Sequence, residues 1–126
     1  MDKKAHTLSP LSKTWIFDID GTIVKHNGHK IDGVDTLLPG AKAFFEAIPA
    51  NDFVLLLTSR TEEYKEQTES FLRENGIRYD KIVYGAPFGE RILINDKKPS
   101  GLKMACAINT DRDVFMKDTF IIDASL

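Results

Sequence analysis

Short apolar runs alternate along the chain with longer stretches of helical period. Residues 14–17, 53–57, 81–84, 92–94 and 119–122 are brief and bounded by turn residues, whereas 41–48, 62–74 and 102–108 follow the helical pattern. Alternation of this kind predicts an α/β domain, a Rossmann-like three-layer sandwich around a mainly parallel five-stranded sheet. Pro39-Gly40 should open the first helix. Thr61 can cap the second, with Glu62 and Glu63 in its first turn, and Asn75-Gly76 should close it. Within that helix Tyr64, Thr68, Phe71 and Leu72 share one face, read as core packing against the sheet. Asn27-Gly28 lies between short flanks and predicts a hairpin flap just after the first strand.

The first 13 residues are polar, lack the apolar stretch of a signal peptide, and are expected to be flexible; residues 14–126 then form a single domain. The longest apolar run, residues 53–57, falls far short of the roughly 20 residues of a membrane span. No membrane partner and a cytoplasmic location are therefore expected. A formal net charge of -2 supplies no broad nucleic-acid binding surface, so an anionic ligand must be held locally. The single cysteine, Cys106, excludes an internal disulfide; its apolar neighbours Ala105, Ala107 and Ile108 suggest a buried structural thiol.

Candidate chemistry comes from the residues just past each predicted strand, because parallel strands deliver their carboxyl ends to one edge. Pooled there are Asp18, Asp20, Gly21 and Thr22, then Thr58, Ser59 and Arg60, then Gly85, then Asn95, Asp96, Lys97 and Lys98, and finally Asp123. Carboxylates so crowded repel unless a cation sits among them, and oxygen ligands without thiolate or imidazole favour Mg²⁺. Hydroxyls and backbone N–H groups suit phosphate oxygens. The set reads as phosphoryl transfer.

Three stretches, FDIDGT, LLLTSR and ILINDKKP, resemble in order the first, second and fourth motifs of the haloacid dehalogenase superfamily of aspartate-nucleophile phosphatases. The resemblance implies that Asp18 is the nucleophile and Asp20 the general acid and base, the catalytic pair. It implies that Gly21, Thr22, Thr58 and Ser59 hold phosphoryl oxygens, and that Asp18, Asp20 through its main-chain carbonyl, Asp96 and, through its side-chain carbonyl, Asn95 bind Mg²⁺. Many members end the fourth strand in Asp-Asp, where this chain has Asn95-Asp96. Related members also carry a lysine in a Gly-Lys-Pro after the third strand, where this chain reads Gly85-Ala86-Pro87.

Two cations are candidates to replace that lysine. Arg60, with its planar fork, is the first choice and Lys97 the second. Arg91 is set aside: five residues before Asp96 along a strand rising about 3.3 Å per residue, it would lie on the order of 16 Å from the site.

The spacing leaves no room for a cap domain, which by family analogy suits macromolecular substrates or small ones enclosed by a homo-oligomer. His26 and His29 flank the hairpin turn and are read as solvated turn residues. The stretch YDKIVYGAPFGERILINDKKPSG resembles small phosphatases of sugar-nucleotide and surface-polysaccharide metabolism, which favours a phosphorylated small-molecule substrate, a sugar or related metabolite. The alternatives are a catalytically weak phosphate-binding module and a phosphatase acting on a nucleotide or macromolecular phosphate. A phosphorelay receiver is rejected, because Tyr84-Gly85 stands where its phosphoacceptor Asp belongs.

Overall fold

The computed structural model describes residues 3–126 and is an α/β structure with parallel strands in two small sheets. The elements are β1 (Ala5–Leu8), β2 (Thr14–Phe17), α1 (Gly28–Ile31), α2 (Ala41–Ala47), β3 (Phe53–Leu57), a 3₁₀ turn (Glu62–Tyr64), α3 (Lys65–Glu74), β4 (Lys81–Val83) and β5 (Thr119–Ile122). The larger sheet runs β2-β3-β4, with Phe17 opposite Leu56 and Leu57 opposite Val83. The smaller pairs β1 with β5, His6 lying opposite Phe120.

The strands of the larger sheet form where the sequence predicts because each contributes apolar side chains to one core. Val54 and Leu56 of β3 are fully buried, and Phe17, Phe45, Ile48, Leu72 and Ile77 close around them. Burial of a leucine or valine side chain contributes roughly 1.5–3 kcal/mol each, which outweighs the weak intrinsic preferences of such short elements. Polar side chains fix the sheet's entry end: Asp52 accepts from the Lys13 N–H at 3.0 Å and from Trp15 Nε1 at 2.9 Å, and Asp80 accepts from the Val54 N–H at 2.7 Å. Gly40 and Thr61 stand at the expected helix starts, and Gly76, at φ 71°, follows α3. Thr68 and Leu72 of α3 are buried as its stripe implies.

Five expectations are corrected. The predicted single five-stranded sheet is two sheets, of three strands and two. The opening stretch, expected to be unordered, contains β1, held by its ladder with β5 and by a hydrogen bond from the Thr119 N–H to the Lys4 carbonyl. Residues 92–94 form no strand, and residues 102–108 no helix; Ile92 and Ile94 are 82% and 89% exposed. An apolar run describes what could be buried, but a strand exists only where a ladder partner meets it. The flap is hairpin-like only at its base, where Val24 bridges Leu37 antiparallel and the Lys25 N–H donates to the Thr36 carbonyl. Its tip is the single turn α1, entered through Asn27 in the left-handed region at φ 54°.

The long segment between β4 and β5 is anchored near its far end. Phe115 enters the core, the Asp113 N–H donates to the Gly21 carbonyl at 2.8 Å, and Asp113 Oδ1 accepts from the His26 N–H at 2.7 Å. Gly21, at φ 81°, makes the turn after β2, and a Cβ there would lie 3.2 Å from Arg112 Cγ. Among the described residues no helix is long and apolar enough to cross a membrane.

Candidate functional site

Beyond the ends of β2 and β3 lies a cleft of about 380 Å³ whose lining includes Asp18, Asp20, His29, Ser59, Arg60, Arg91 and Arg112. A larger groove, about 600 Å³ and lined by Phe44, Phe115 and Met116 among others, contains none of the residues singled out by their chemistry. The charged cleft is therefore the candidate site.

Asp18 immediately follows β2 and is partly open to solvent, its side chain 34% exposed. One carboxylate oxygen accepts from the Thr22 hydroxyl at 3.0 Å and the other from Arg91 Nη1 at 3.1 Å. Arg91 also reaches Ser59 Oγ, at 3.4 Å through Nη2, and Ser59 Oγ donates to the Pro87 carbonyl at 3.3 Å. The exclusion of Arg91 is thus corrected. It assumed a continuous strand from 91 to 96, and without that strand the chain is free to bring the guanidinium to Asp18.

Asp20 sits in a different environment. Arg60 Nε and Nη2 grip its carboxylate at 3.0 and 2.9 Å, and the Asn27 N–H adds a longer contact at 3.3 Å. Arg60 Nη1 and Nη2 also hold Asp35 at 3.0 and 2.7 Å, and Nη1 donates to Thr68 Oγ1 at 2.9 Å. A guanidinium has five N–H donors, and these five contacts use them all. Arg60, expected to hold phosphate, has no donor left for it. Burial opposes its charge, but the hydrogen bonds and charges of Asp20 and Asp35 hold its pKa above the ordinary value. Burial would likewise raise the Asp20 carboxyl; the Arg60 contacts, helped by His29 and Asn27, outweigh that and hold it below the ordinary carboxylate range. Asp20 therefore rests as an anion, whereas a general acid must carry a proton.

Other expected phosphate donors are also committed elsewhere. The Gly21 N–H donates to the Val24 carbonyl at 2.7 Å and the Thr22 N–H to the Ile19 carbonyl at 3.2 Å. Thr58 is withheld by burial instead: it is 1% exposed and does not line the cleft, and its hydroxyl oxygen accepts from the Arg60 N–H at 3.0 Å, which shapes the turn into the cleft. Asn95, Asp96 and Lys97 are exposed on the extended segment and do not line the cleft. The Asn95 amide donates to the Asp96 carbonyl at 3.1 Å. Of the four residues assigned to Mg²⁺, only Asp18 and Asp20 border the cleft; Arg91 occupies Asp18 Oδ1, and Asp20, assigned through its main-chain carbonyl, offers no second free carboxylate because Arg60 grips its side chain. This donor set does not fit a resident Mg²⁺, and no chemical step proposed for the cleft depends on one.

Asp35 and His29 are the buried members that the sequence reading missed or misplaced. Asp35 was not singled out at all, since no local signal marks a partner 25 residues from Arg60. His29, read as a solvated turn residue, is 6% exposed, its ring edge-on to Tyr64 at 4.8 Å, and neither ring nitrogen has a hydrogen-bond partner among the described residues. Burial, then the charge of Arg60, holds its pKa below the ordinary value against the pull of Asp20 and Asp35. Asp20, His29 and Asp35 place potential ligand atoms within 4.8 Å of one another. Arg60 Nη2 already bonds the same two oxygens, Asp20 Oδ1 and Asp35 Oδ1, so an ion there would have to displace the guanidinium.

Comparison with known proteins adds no relative: no family model, curated protein or solved structure matches the chain.

Proposed function

We propose that the cleft carries out phosphoryl transfer at Asp18, as a phosphatase of the haloacid dehalogenase type. The observation that carries this reading is the state of Asp18: a partly exposed carboxylate at a strand end, aligned by the Thr22 hydroxyl and faced by an arginine fork that also reaches Ser59. The motif resemblance points the same way.

In this reading Arg91 and Ser59 exchange their contacts for the oxygens of an incoming phosphate, leaving Asp18 free to attack phosphorus. The P–O bond to the leaving group breaks as the aspartyl-phosphate bond forms. Water then attacks phosphorus and returns the carboxylate. Because Arg60 holds Asp20 ionised, a leaving oxygen that departs as a stable anion needs no proton from it. Aryl phosphates should therefore turn over faster than alkyl phosphates. A phosphorylated sugar or related metabolite remains the natural substrate class favoured by the resemblance, and with such a substrate Asp20 must loosen from Arg60 and take up a proton from solvent before it can donate one to the leaving oxygen.

The second reading, a phosphate-binding module with weak or no turnover, draws on that same Asp20–Arg60 contact. An aryl phosphate and a panel of sugar phosphates, assayed with Mg²⁺ and with EDTA in wild type and Asp18→Asn, separate the two. Turnover lost in Asp18→Asn supports phosphoryl transfer. Phosphate binding without turnover on any substrate favours the binding module, and EDTA-sensitive turnover would overturn the conclusion that the residues do not fit a metal.

A further inference from the structure

A second group of reactive side chains lies away from the cleft, where β1 meets β5. Cys106, expected to be a buried structural thiol, is exposed. Its Sγ lies 3.9 Å from His6 Nδ1, and His6 Nε2 lies 2.8 Å from Asp118 Oδ2. The other Asp118 oxygen accepts from the Lys4 N–H at 3.2 Å, so both ends of the carboxylate are engaged, and its side chain is only 8% exposed. The His6 ring stacks on Phe120 at 5.3 Å, across the β1–β5 ladder.

This arrangement sets the protons on the ring. The hydrogen bond with His6 is the largest influence on the Asp118 carboxyl; burial, next in size, opposes it, and the Lys4 N–H with the charges of His6 and Lys4 tips the balance, so the carboxyl lies below its ordinary range. An ionised carboxylate only accepts, so the neutral imidazole places its hydrogen on Nε2 and leaves a bare lone pair on Nδ1. That lone pair is the one facing the thiol. The three side chains stand in the order nucleophile, base and orienting acid, on an open surface.

We propose that Cys106 is a nucleophilic thiol, with His6 as its base and Asp118 as a positioning residue, and that it is a modification site for small hydroperoxides. The thiol proton passes to His6 Nδ1, and the sulfur attacks the terminal peroxide oxygen. An S–O bond forms as the O–O bond breaks. The departing oxygen takes a proton and leaves as water or an alcohol. Sulfur is oxidised by two electrons to the sulfenic acid and the peroxide is reduced by two. The chain has no second cysteine to resolve that product. Recovery therefore requires an external low-molecular-weight thiol, which displaces water to form a mixed disulfide that a second thiol reduces.

The test measures alkylation of Cys106 by iodoacetamide at neutral pH in the folded protein and in a peptide spanning residues 103–109. It also measures trapping of the sulfenic acid by dimedone after hydrogen peroxide, read as intact mass with Cys106→Ser as the blank. The folded protein should react at least about tenfold faster than the peptide in both assays, because an unassisted thiol is only a few per cent thiolate at neutral pH. His6→Phe keeps a ring against Phe120 but removes the base, and should bring the rate down to the peptide's while circular dichroism stays native. Asp118→Asn should fall between. Equal rates in protein and peptide overturn the proposal whether or not a variant folds, as does a folded His6→Phe reacting like wild type. Fast alkylation with no dimedone adduct overturns the assignment to hydroperoxides.

Discussion

The floor and the rim of the cleft each join arginine to aspartate, and their surroundings give the two pairings different uses. On the floor, Arg60 and Asp35 have side chains 2% exposed each, and Asp20 is 16% exposed. On the rim, Arg91 and Asp18 are 36% and 34% exposed, and a single close contact joins them. Charges removed from water must be neutralised by their neighbours, so the floor is locked by a full set of hydrogen bonds. Charges at the surface are solvated either way, so the rim pair can open for a ligand at little cost. A charge beside the paired aspartates is therefore not automatically available to a ligand. The floor fixes the cleft's shape, and under the phosphoryl-transfer reading the rim is where phosphate exchanges in.

The largest effect should come from Arg60→Ala. It leaves Asp20 and Asp35 facing each other in a buried site without their cation, and breaking a buried pair from one side costs about 3–5 kcal/mol. Urea denaturation measures the loss directly. Arg60→Lys keeps the charge but not the two forks, and should recover only part of it. A loss below about 1 kcal/mol for the alanine variant, the range of exposed pairs, would erase the distinction between floor and rim.

This distinction was only half legible in the sequence. The strands β2 to β4 and helices α2 and α3 could be read because their apolar residues repeat at the period of the structure they form. Asp18 and Asp20 stood out because they end a strand. Arg60 was correctly brought to the same edge, but its partner Asp35 and its neighbour Thr68 on α3 lie in other elements, and periodicity carries no information about which distant charge completes a buried pair. Arg91 was misplaced for a related reason. The run from Ile92 to Ile94 looks like a strand locally, yet ladder formation is a non-local event, and every distance inferred along that strand failed with it. Cys106 fell to the same error, since its apolar neighbours suggested burial on a segment that the fold leaves open.

Two acid-dependent losses of intermediate size should separate the floor's groups. His29 has a depressed folded pKa, so the unfolded chain takes up its proton first. Its contribution is fully present well above the ordinary value of 6.5 and is lost as pH falls from there toward the folded value. Asp20 is likewise depressed, and its contribution begins to fall near the ordinary value of 3.8 and is lost as pH drops through the lower folded value. Denaturation midpoints followed from pH 8 to pH 2, with other groups contributing a common background, should lose the upper component in His29→Phe and the lower one in Asp20→Asn. If His29→Phe keeps the full wild-type slope between about pH 6.5 and pH 5, the histidine is solvated and the floor is wetter than its geometry implies.

The smallest effect on stability belongs to Arg91→Ala, and it tests the rim most sharply because its effect on ligand should be large. A lone exposed pair contributes no more than about 1 kcal/mol, and added salt should shrink even that. Binding of inorganic phosphate behaves differently under the phosphoryl-transfer reading, because the guanidinium then makes charge-assisted hydrogen bonds to the bound anion. At roughly 1.5–3 kcal/mol, their loss should weaken phosphate binding by about tenfold to a hundredfold, measured by isothermal titration. Lys97→Ala, altering an exposed residue outside the cleft, should bind phosphate as wild type does. A folded Arg91→Ala protein that also binds phosphate normally would make Arg91 a bystander, whereas loss of stability comparable to Arg60→Ala would mean that the rim is built like the floor.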